Sequence, residues 1–300
     1  MVFTRTVSGL ANQPLFMDCD LIIYVEGTPH ACFEAAGGVE GDVCNYDSFF
    51  WASIVTACRP ELRHRFKPFG SKKSLLELAR GLDGERVKGK ILVAIDRDFD
   101  GAAGSEEKIP CLVRSASYSW ESDVWGVSSV HDVLLNWLPM SMLPPHAATE
   151  IDGCVSAFWS RVTRYSWGDA ALFALNNDGL LFDRESPSRF IDLTVELPRL
   201  KERDLRRHAM AMAKSLGKGT AIPKLVGFDT KRHTFGKKVR DFHVAVLRAA
   251  GRKYLGNFPP SNHYLWMQGL QAFKTRLMSG NEANLAYYRS EVDTAMGLAA

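Results

Sequence analysis

Apolar residues form two short runs, and each run is followed at once by acidic residues and a glycine. The first run is residues 21–25, Leu-Ile-Ile-Tyr-Val, and it leads into Glu26 and Gly27. The second run is residues 91–95, Ile-Leu-Val-Ala-Ile. Both are too short for a buried helix and rich in β-branched residues, so they predict strands covered on both faces, as in a parallel sheet. The polar residues begin at the carboxyl ends of these strands, where open α/β sheets bind ligands.

Three acids at alternate positions follow the second strand. They are Asp96, Asp98 and Asp100, with Gly101 directly after them. Carboxylates this close repel one another, and a hard divalent cation with oxygen ligands, most often Mg²⁺, relieves the repulsion. An acidic surface turn is the alternative, because Asp and Gly are common in turns. The apolar strand and the regular spacing favour the metal site.

Helical patterns accompany the predicted strands in the first half of the chain. Asp47 predicts the N-cap of a helix that Pro60 ends. A Gly-Ser turn with Lys72 and Lys73 precedes a helical pattern over residues 75–82. This turn predicts ordinary helix capping, with the two lysines as optional phosphate contacts.

A further strand is predicted over residues 111–116, with Glu121 near its end. A carboxylate there either completes a second metal site or bonds a water ligand, and the alternative is a Glu in the first turn of the next helix. A helix is predicted over residues 129–137. The prolines between residues 139 and 145 predict a boundary between domains 1–145 and 146–300.

The second half is predicted to be mostly helical. The helical segments are residues 155–165, 200–216, 239–250 and 263–278, and residues 189–197 alternate enough for an edge strand. The fold class is therefore α/β, a parallel sheet flanked by helices with a mostly helical C-terminal region.

Charge is distributed unevenly along the chain. The formal net charge is only +3, but residues 199–255 carry 16 Lys and Arg against 4 Asp and Glu, a local excess of +12. Such an excess is the electrostatic footprint expected for a phosphate backbone. A solvated helix face and a surface that docks an acidic protein are the alternatives. The predicted nucleic-acid contacts are Lys72, Lys73, Arg206, Arg207, Lys237 and Lys238, with Phe235 or Tyr254 stacking on unpaired bases.

Cysteine spacing and hydropathy narrow the class of protein. The six cysteines include no Cys-x-x-Cys pair, which predicts reduced thiols and no structural zinc. No apolar run approaches the ~18 residues of a membrane span, and no secretory signal opens the sequence. We therefore expect a cytoplasmic protein with no membrane association.

Taken together, these motifs resemble a known family. A strand ending in Glu-Gly, paired with a later strand ending in Asp-x-Asp-x-Asp-Gly, is similar to the TOPRIM domain of topoisomerases, primases and certain nucleases. The segments Tyr118-Ser119-Trp120-Glu121-Ser122 and Phe235-Gly236-Lys237-Lys238 narrow the resemblance to TOPRIM-like nuclease effectors of bacterial anti-phage systems, such as the PARIS systems. Residues 21–125 carry most of this resemblance.

The resemblance implies a toxic, metal-dependent endonuclease. Such effectors are held inactive by an ABC-type ATPase of the same system, and after release they act as homodimers on tRNA. The implied metal is Mg²⁺, with Mn²⁺ as a substitute, and Arg97 or Lys237 would neutralise the transition state. Its implied ligands are Glu26, Asp96, Asp98 and Asp100, and the catalytic set adds Glu121 and Lys237. A DNA nuclease of the overcoming-lysogenization-defect type and a non-catalytic module that docks on the ATPase remain alternatives.

Overall fold

The computed structural model describes residues 12–27, 45–82, 87–102, 104, 106–137, 144–175, 187–193, 195–216, 224–256 and 261–298. In chain order the elements of the first half are α1 (Gln13–Phe16), β1 (Leu21–Val25), α2 (Tyr46–Cys58), β2 (His64–Pro68), α3 (Lys72–Gly81), β3 (Ile91–Ile95), β4 (Leu112–Arg114), α4 (Trp120–Val124) and α5 (Val127–Trp137). Those of the second half are α6 (Pro145–Ala174), α7 (Pro187–Phe190), β5 (Ile191–Asp192), β6 (Arg199–Leu200), α8 (Glu202–Ser215), α9 (Thr230–His233), α10 (Gly236–Leu255), α11 (Asn262–Met278) and α12 (Leu285–Met296).

The chain divides into two compact units. The first unit comprises Met1–Asp96, Glu107–Ala116 and Phe273–Ala300, and the second comprises Arg97–Glu106 and Ser117–Ala272. The boundary predicted near residue 145 falls at the start of α6, inside the second unit. The division into functional domains 1–145 and 146–300 stays a prediction.

A four-stranded, all-parallel sheet forms the centre of the first unit. Its strand order is β2-β1-β3-β4, with Ile23 opposite Phe66, Tyr24 opposite Val93 and Ala94 opposite Val113. Every residue of β1, β3 and β4 is buried, as the apolar runs predict. Helices α3 and α12 pack against this sheet. The α/β class predicted from the sequence is thus confirmed.

Strand β2 was not predicted. It lies at the edge of the sheet, and only Phe66 among its five residues is buried. Within the strand, Arg65 and Lys67 flank Phe66. Charged side chains are common on edge strands because one side of the backbone faces solvent. An edge strand of this kind lacks the continuous apolar run that reveals β1 and β3.

Helix α2 begins slightly earlier than predicted. Its N-cap is Asn45 and not Asp47: the N–H of Ser48 donates to Asn45 Oδ1 at 2.8 Å. Asp47 lies in the first turn, where its charge favours the helix dipole. The helix ends at Cys58, two residues before Pro60, as predicted. Phe50, fully buried, stacks on Phe273 with ring centroids 5.2 Å apart.

The second unit is mostly helical. Each of the four predicted helices after residue 150 is present, with bounds that differ from the prediction by a few residues or, for α6, extend to 30 residues. The predicted edge strand over 189–197 is wrong in extent, because residues up to Phe190 form α7 and only Ile191–Asp192 pairs, antiparallel, with Arg199–Leu200. Within the described ranges, none of the helices has both the length and the apolar character that crossing a membrane requires.

Candidate functional site

Two acids lie at the ends of neighbouring strands in the first unit. Glu26 follows β1 directly and Asp96 follows β3 directly. These strands are adjacent and parallel, and neighbouring strands lie ~4.8 Å apart. Because Tyr24 is opposite Val93, Glu26 and Asp96 are offset by one residue along the edge of the sheet. The structure therefore places both acids at the edge where ligands of parallel sheets bind.

A pair of glycines fixes the chain on the far side of Glu26. The N–H of Gly27 donates to the carbonyl of Gly70 at 2.9 Å, and the N–H of Gly70 donates back at 2.8 Å. Gly27 has φ +131° and Gly70 has φ +78°, conformations that other residues rarely adopt. A Cβ on Gly27 would lie 2.9 Å from Asn45 Nδ2. The backbone after Glu26 is thereby held against the loop that precedes α3.

Two helices begin beside this pair of glycines. Asn45, the N-cap of α2, donates through Nδ2 to the carbonyl of Glu26 at 3.2 Å. Ser71, directly after Gly70, caps α3 and accepts from the N–H of Ser74 at 3.4 Å, so the predicted capping turn is confirmed. The first-turn N–H groups of a helix carry partial positive charge and favour anions. Neither Asn45 nor the pairing of Gly27 with Gly70 was predicted, since both join segments far apart in sequence.

Lys72 and Lys73 open α3 at the same edge. Lys73 is exposed and Lys72 is half-buried. Their ammonium groups add positive charge to the helix N-terminus, next to the loop that holds Glu26. Along this edge of the sheet, Lys72 and Lys73 come after β2, Glu26 comes after β1, and Asp96 comes after β3.

The remaining acids of the triplet belong to the second unit. Asp98 has φ +53°, and its N–H donates to the carbonyl of Tyr118 at 2.7 Å. The N–H of Asp100 donates to the carbonyl of Arg97 at 3.0 Å. Arg97 is fully buried and forms an ion pair with Glu106, so the predicted role of Arg97 as a cation for substrate is wrong. The backbone of this acidic loop is ordered by contacts within the second unit.

Donor chemistry at the sheet edge suits a hard cation. Within the described ranges, no three side chains of His, Cys, Asp or Glu are grouped closely enough to hold a metal ion. Mg²⁺ often keeps several waters and binds through one or two carboxylates. Glu26 and Asp96 supply two such carboxylates from neighbouring strands. The carboxylates of Glu26 and Asp96 therefore fit Mg²⁺, and ligation by Asp98 and Asp100 stays a prediction.

Two sequence motifs that are more than 110 residues apart meet in the second unit. Ser122, in the first motif, donates through Oγ to the carbonyl of Thr234 at 2.9 Å. The rings of Tyr118 and Phe235 lie 4.6 Å apart, and Phe99 packs edge-on against both. Phe235 is 1% exposed, so the prediction that it stacks on bases is wrong. Its ring instead joins the acidic loop to the start of α10.

Glu121 lies in the first turn of α4 and is buried. Ser119 donates to its Oε2 at 2.5 Å, and Arg240 donates to its Oε1 at 3.4 Å. Burial raises the pKa of this carboxyl, while the bond from Ser119 and the charge of Arg240 act in the opposite direction. Both oxygens are engaged inside the protein. This geometry favours a structural role for Glu121 over the predicted catalytic one.

The lysines at the start of α10 differ in accessibility. Lys237 is exposed, whereas Lys238 is buried at 3% exposure. Lys238 therefore does not lie on the surface, and its assignment to nucleic-acid binding needs correction. Tyr254 is half-buried, and its hydroxyl donates to Glu150 Oε2 at 2.6 Å. Of these predicted contacts, only Lys237 is presented openly to solvent.

Helix α8 presents the basic face that the sequence predicts. Leu205 and Met212 are buried, while the side chains of Arg206 and Arg207 are 74% and 67% exposed. Glu202 lies 3.7 Å from Arg206, and Asp204 lies 3.2 Å from Arg207. These intrahelical pairs offset part of the positive charge. The face remains available to an anionic partner.

Comparison with protein-family models and with curated proteins gives no match for this chain. The function proposed for it therefore depends on its own residues and on the resemblance of its motifs to those of TOPRIM-like nucleases.

Proposed function

We propose that this protein is a Mg²⁺-dependent endonuclease of the TOPRIM type, a toxic effector of a bacterial anti-phage defence system. Its proposed substrate is RNA, tRNA ahead of DNA, and its proposed partner is an ABC-type ATPase that releases it as a homodimer in the cytoplasm. One observation carries the proposal: Glu26 and Asp96 follow adjacent parallel strands, beside a capped helix that begins with Lys72 and Lys73.

The acids would provide the metal-binding half of the site. Glu26 and Asp96 offer oxygen ligands from two strands, with Asp98 and Asp100 added by sequence spacing. Bound Mg²⁺ stabilises the charge that develops on phosphoryl oxygens during hydrolysis. Glu26 serves either as a ligand or as the acceptor of the proton of the attacking nucleophile. The pairing of Gly27 with Gly70 restricts the backbone from which Glu26 projects.

The cations would hold the substrate. Lys73 and the first-turn N–H groups of α3 form an environment that favours a phosphate oxygen. In the second unit, Arg206, Arg207 and Lys237 offer exposed charges to a phosphate backbone. These contacts position a nucleic acid without reading its sequence.

The test is to express the wild type, Glu26→Ala and a control, Glu77→Ala, and to sequence the RNA and DNA ends that appear in the cell. Glu77 is an exposed acid on α3, so its loss leaves the sheet edge intact. We expect wild type and Glu77→Ala to be toxic and to produce discrete tRNA ends, and Glu26→Ala to produce neither.

The other outcomes select the alternatives. Glu26-dependent chromosomal or plasmid breaks with intact tRNA would support the DNA nuclease. Absence of any Glu26-dependent end, together with binding of the ATPase, would support the docking module and contradict nuclease activity.

A further inference from the structure

An exposed aromatic cleft lies on the second unit, and none of the residues assigned above lines it. Thr163, Arg164, Trp167, Phe228, Asp229 and Thr230 line it, and we call it the Trp167 cleft. Its volume is about 480 Å³, within the ~300–1,000 Å³ typical of small-ligand sites. Trp167 is 40% exposed, so part of its indole ring is open to solvent. The cleft therefore offers an aromatic surface to a ligand.

A buried hydrogen bond joins the two walls of the Trp167 cleft. One wall is α6, where residues 163, 164 and 167 share a helical face, and the other is the segment that enters α9. The hydroxyl groups of Ser166 and Thr234 share a hydrogen bond of 2.8 Å. The Thr234 hydroxyl donates to the carbonyl of Thr230 at 2.6 Å. On the second wall, the Phe228 ring stacks on buried His233, with centroids 5.6 Å apart and planes 24° apart. The aromatic surface is thus formed before any ligand binds.

Charge around the cleft indicates the class of ligand. Arg164 lines it and is exposed, and exposed Lys231 directly follows Thr230. These cations belong to a unit with a large excess of positive charge over residues 199–255. Asp229 caps α9 by accepting the N–H of Arg232 through Oδ1 at 2.8 Å. A carboxylate has a second oxygen, which accepts hydrogen bonds from the N–H groups of a base and repels a phosphate.

We propose that the Trp167 cleft binds an unpaired nucleobase of a single-stranded nucleic acid. The base stacks on Trp167, the adjoining phosphates contact Arg164 and Lys231, and Asp229 accepts from the base edge. Stacking needs a base that is not already paired, so a duplex does not enter. This inference deepens the proposed function, because it names the form of substrate that the nuclease would hold. It replaces Phe235, which is buried, as the stacking residue.

The test measures binding by the full-length protein in EDTA, so that Mg²⁺-dependent cleavage does not interfere. The probes are a fluorescein-labelled RNA without self-complementarity, single-stranded DNA of the same sequence, and the RNA annealed to its complement. Trp167→Leu removes the aromatic plane and Trp167→Phe keeps it. Trp159→Leu removes another tryptophan from the same helix, outside the cleft.

We expect Trp167→Leu to weaken binding of single-stranded RNA about tenfold or more, the effect of losing one stacked base. Trp167→Phe and Trp159→Leu should stay within about threefold of wild type, and no variant should alter duplex binding. A matching loss on single-stranded DNA would assign the cleft to any unpaired base, and a loss on RNA alone would assign it to RNA.

Two results would overturn the inference: equal binding of single-stranded RNA by wild type and Trp167→Leu, or an equal Trp167 effect on the duplex. Glu26-dependent cleavage would still support the proposed function in either case. Conversely, Trp167-dependent binding by a protein that never cleaves would keep the cleft and refute the nuclease.

Discussion

Gly27 and Gly70 exchange two backbone hydrogen bonds, of 2.9 and 2.8 Å, across 43 positions of sequence. This pair connects the residue after Glu26 to the residue before the N-cap of α3. The acid at the end of β1 and the cations at the start of α3 thereby occupy one edge of the sheet. Their proximity is the main structural support for phosphoryl chemistry in the first unit.

Replacing Gly27 with Ala should damage this edge. The φ of +131° is unfavourable for any L residue, and the new Cβ would lie 2.9 Å from Asn45 Nδ2. We expect the free energy of unfolding to fall by about 1–3 kcal/mol. We also expect the cleavage rate to fall by a larger factor than the loss of folded protein accounts for. Urea denaturation and a cleavage assay measure the two effects. Gly81→Ala is the control, because nothing lies within 4 Å of its Cβ position; an equal loss there would contradict the argument.

Lys73→Met should weaken substrate binding without unfolding the protein. Lys73 is exposed in the first turn of α3, so its loss removes charge near the predicted phosphate position but no buried contact. We expect KM to rise several-fold with a smaller change in kcat. Lys90→Met, at the amino end of β3, is the matched control and should leave KM unchanged. A KM that does not move in Lys73→Met would remove this lysine from the site.

The stability of the second unit should depend on the protonation of Glu121. Burial raises the pKa of Glu121 above its ordinary value of about 4.5, so the folded state binds a proton more tightly than the unfolded state. Its contribution to stability is therefore full below that ordinary value and declines as the pH rises. Glu121→Gln cannot ionise. We expect the free energy of unfolding of Glu121→Gln, relative to wild type, to increase from pH 4 to pH 8.

For Glu107→Gln we expect a pH dependence of stability that is opposite in sign to that of Glu121→Gln. The hydrogen bond from Arg80 lowers the pKa of exposed Glu107, so wild type should gain stability over this variant as the pH rises and lose it as the pH falls. Denaturation curves across this pH range measure both variants. If the difference in free energy of unfolding between Glu121→Gln and wild type does not change with pH, then Arg240 and Ser119 fully compensate for the burial of Glu121.

Reversing the exposed charges of the second unit should weaken nucleic-acid binding. The changes are Arg206→Glu, Arg207→Glu and Lys237→Glu; Lys238 is left intact because it is buried. Each lost phosphate contact should lower the slope of log K against log salt by ~0.7 for a single strand. Lys90→Glu, Lys108→Glu and Arg289→Glu, all exposed, make the matched triple variant in the first unit. If the salt slope is unaffected while binding of the ATPase is lost, the face docks a protein.

Sequence patterns predicted the strands that are covered on both faces and failed where the fold joins distant segments. Strands β1 and β3 have the bounds expected from their apolar runs, and the acids follow them as expected. Strand β2 escaped prediction because Arg65 and Lys67 interrupt it. The burial of Phe235 and Lys238 depends on the packing of α10 against α4, and local sequence contains no signal for that contact.

Cleavage of purified tRNA, with and without Mg²⁺, tests the central claim most directly. The proteins are wild type, Glu26→Gln, Asp96→Asn and the surface control Glu77→Gln, each first shown to be folded by its thermal transition. We predict Mg²⁺-dependent cleavage by wild type and Glu77→Gln, and a loss of about 100-fold or more in Glu26→Gln and in Asp96→Asn. Undiminished Mg²⁺-dependent cleavage by folded Glu26→Gln and Asp96→Asn, or no cleavage by wild type of tRNA or of any other nucleic acid, would contradict it.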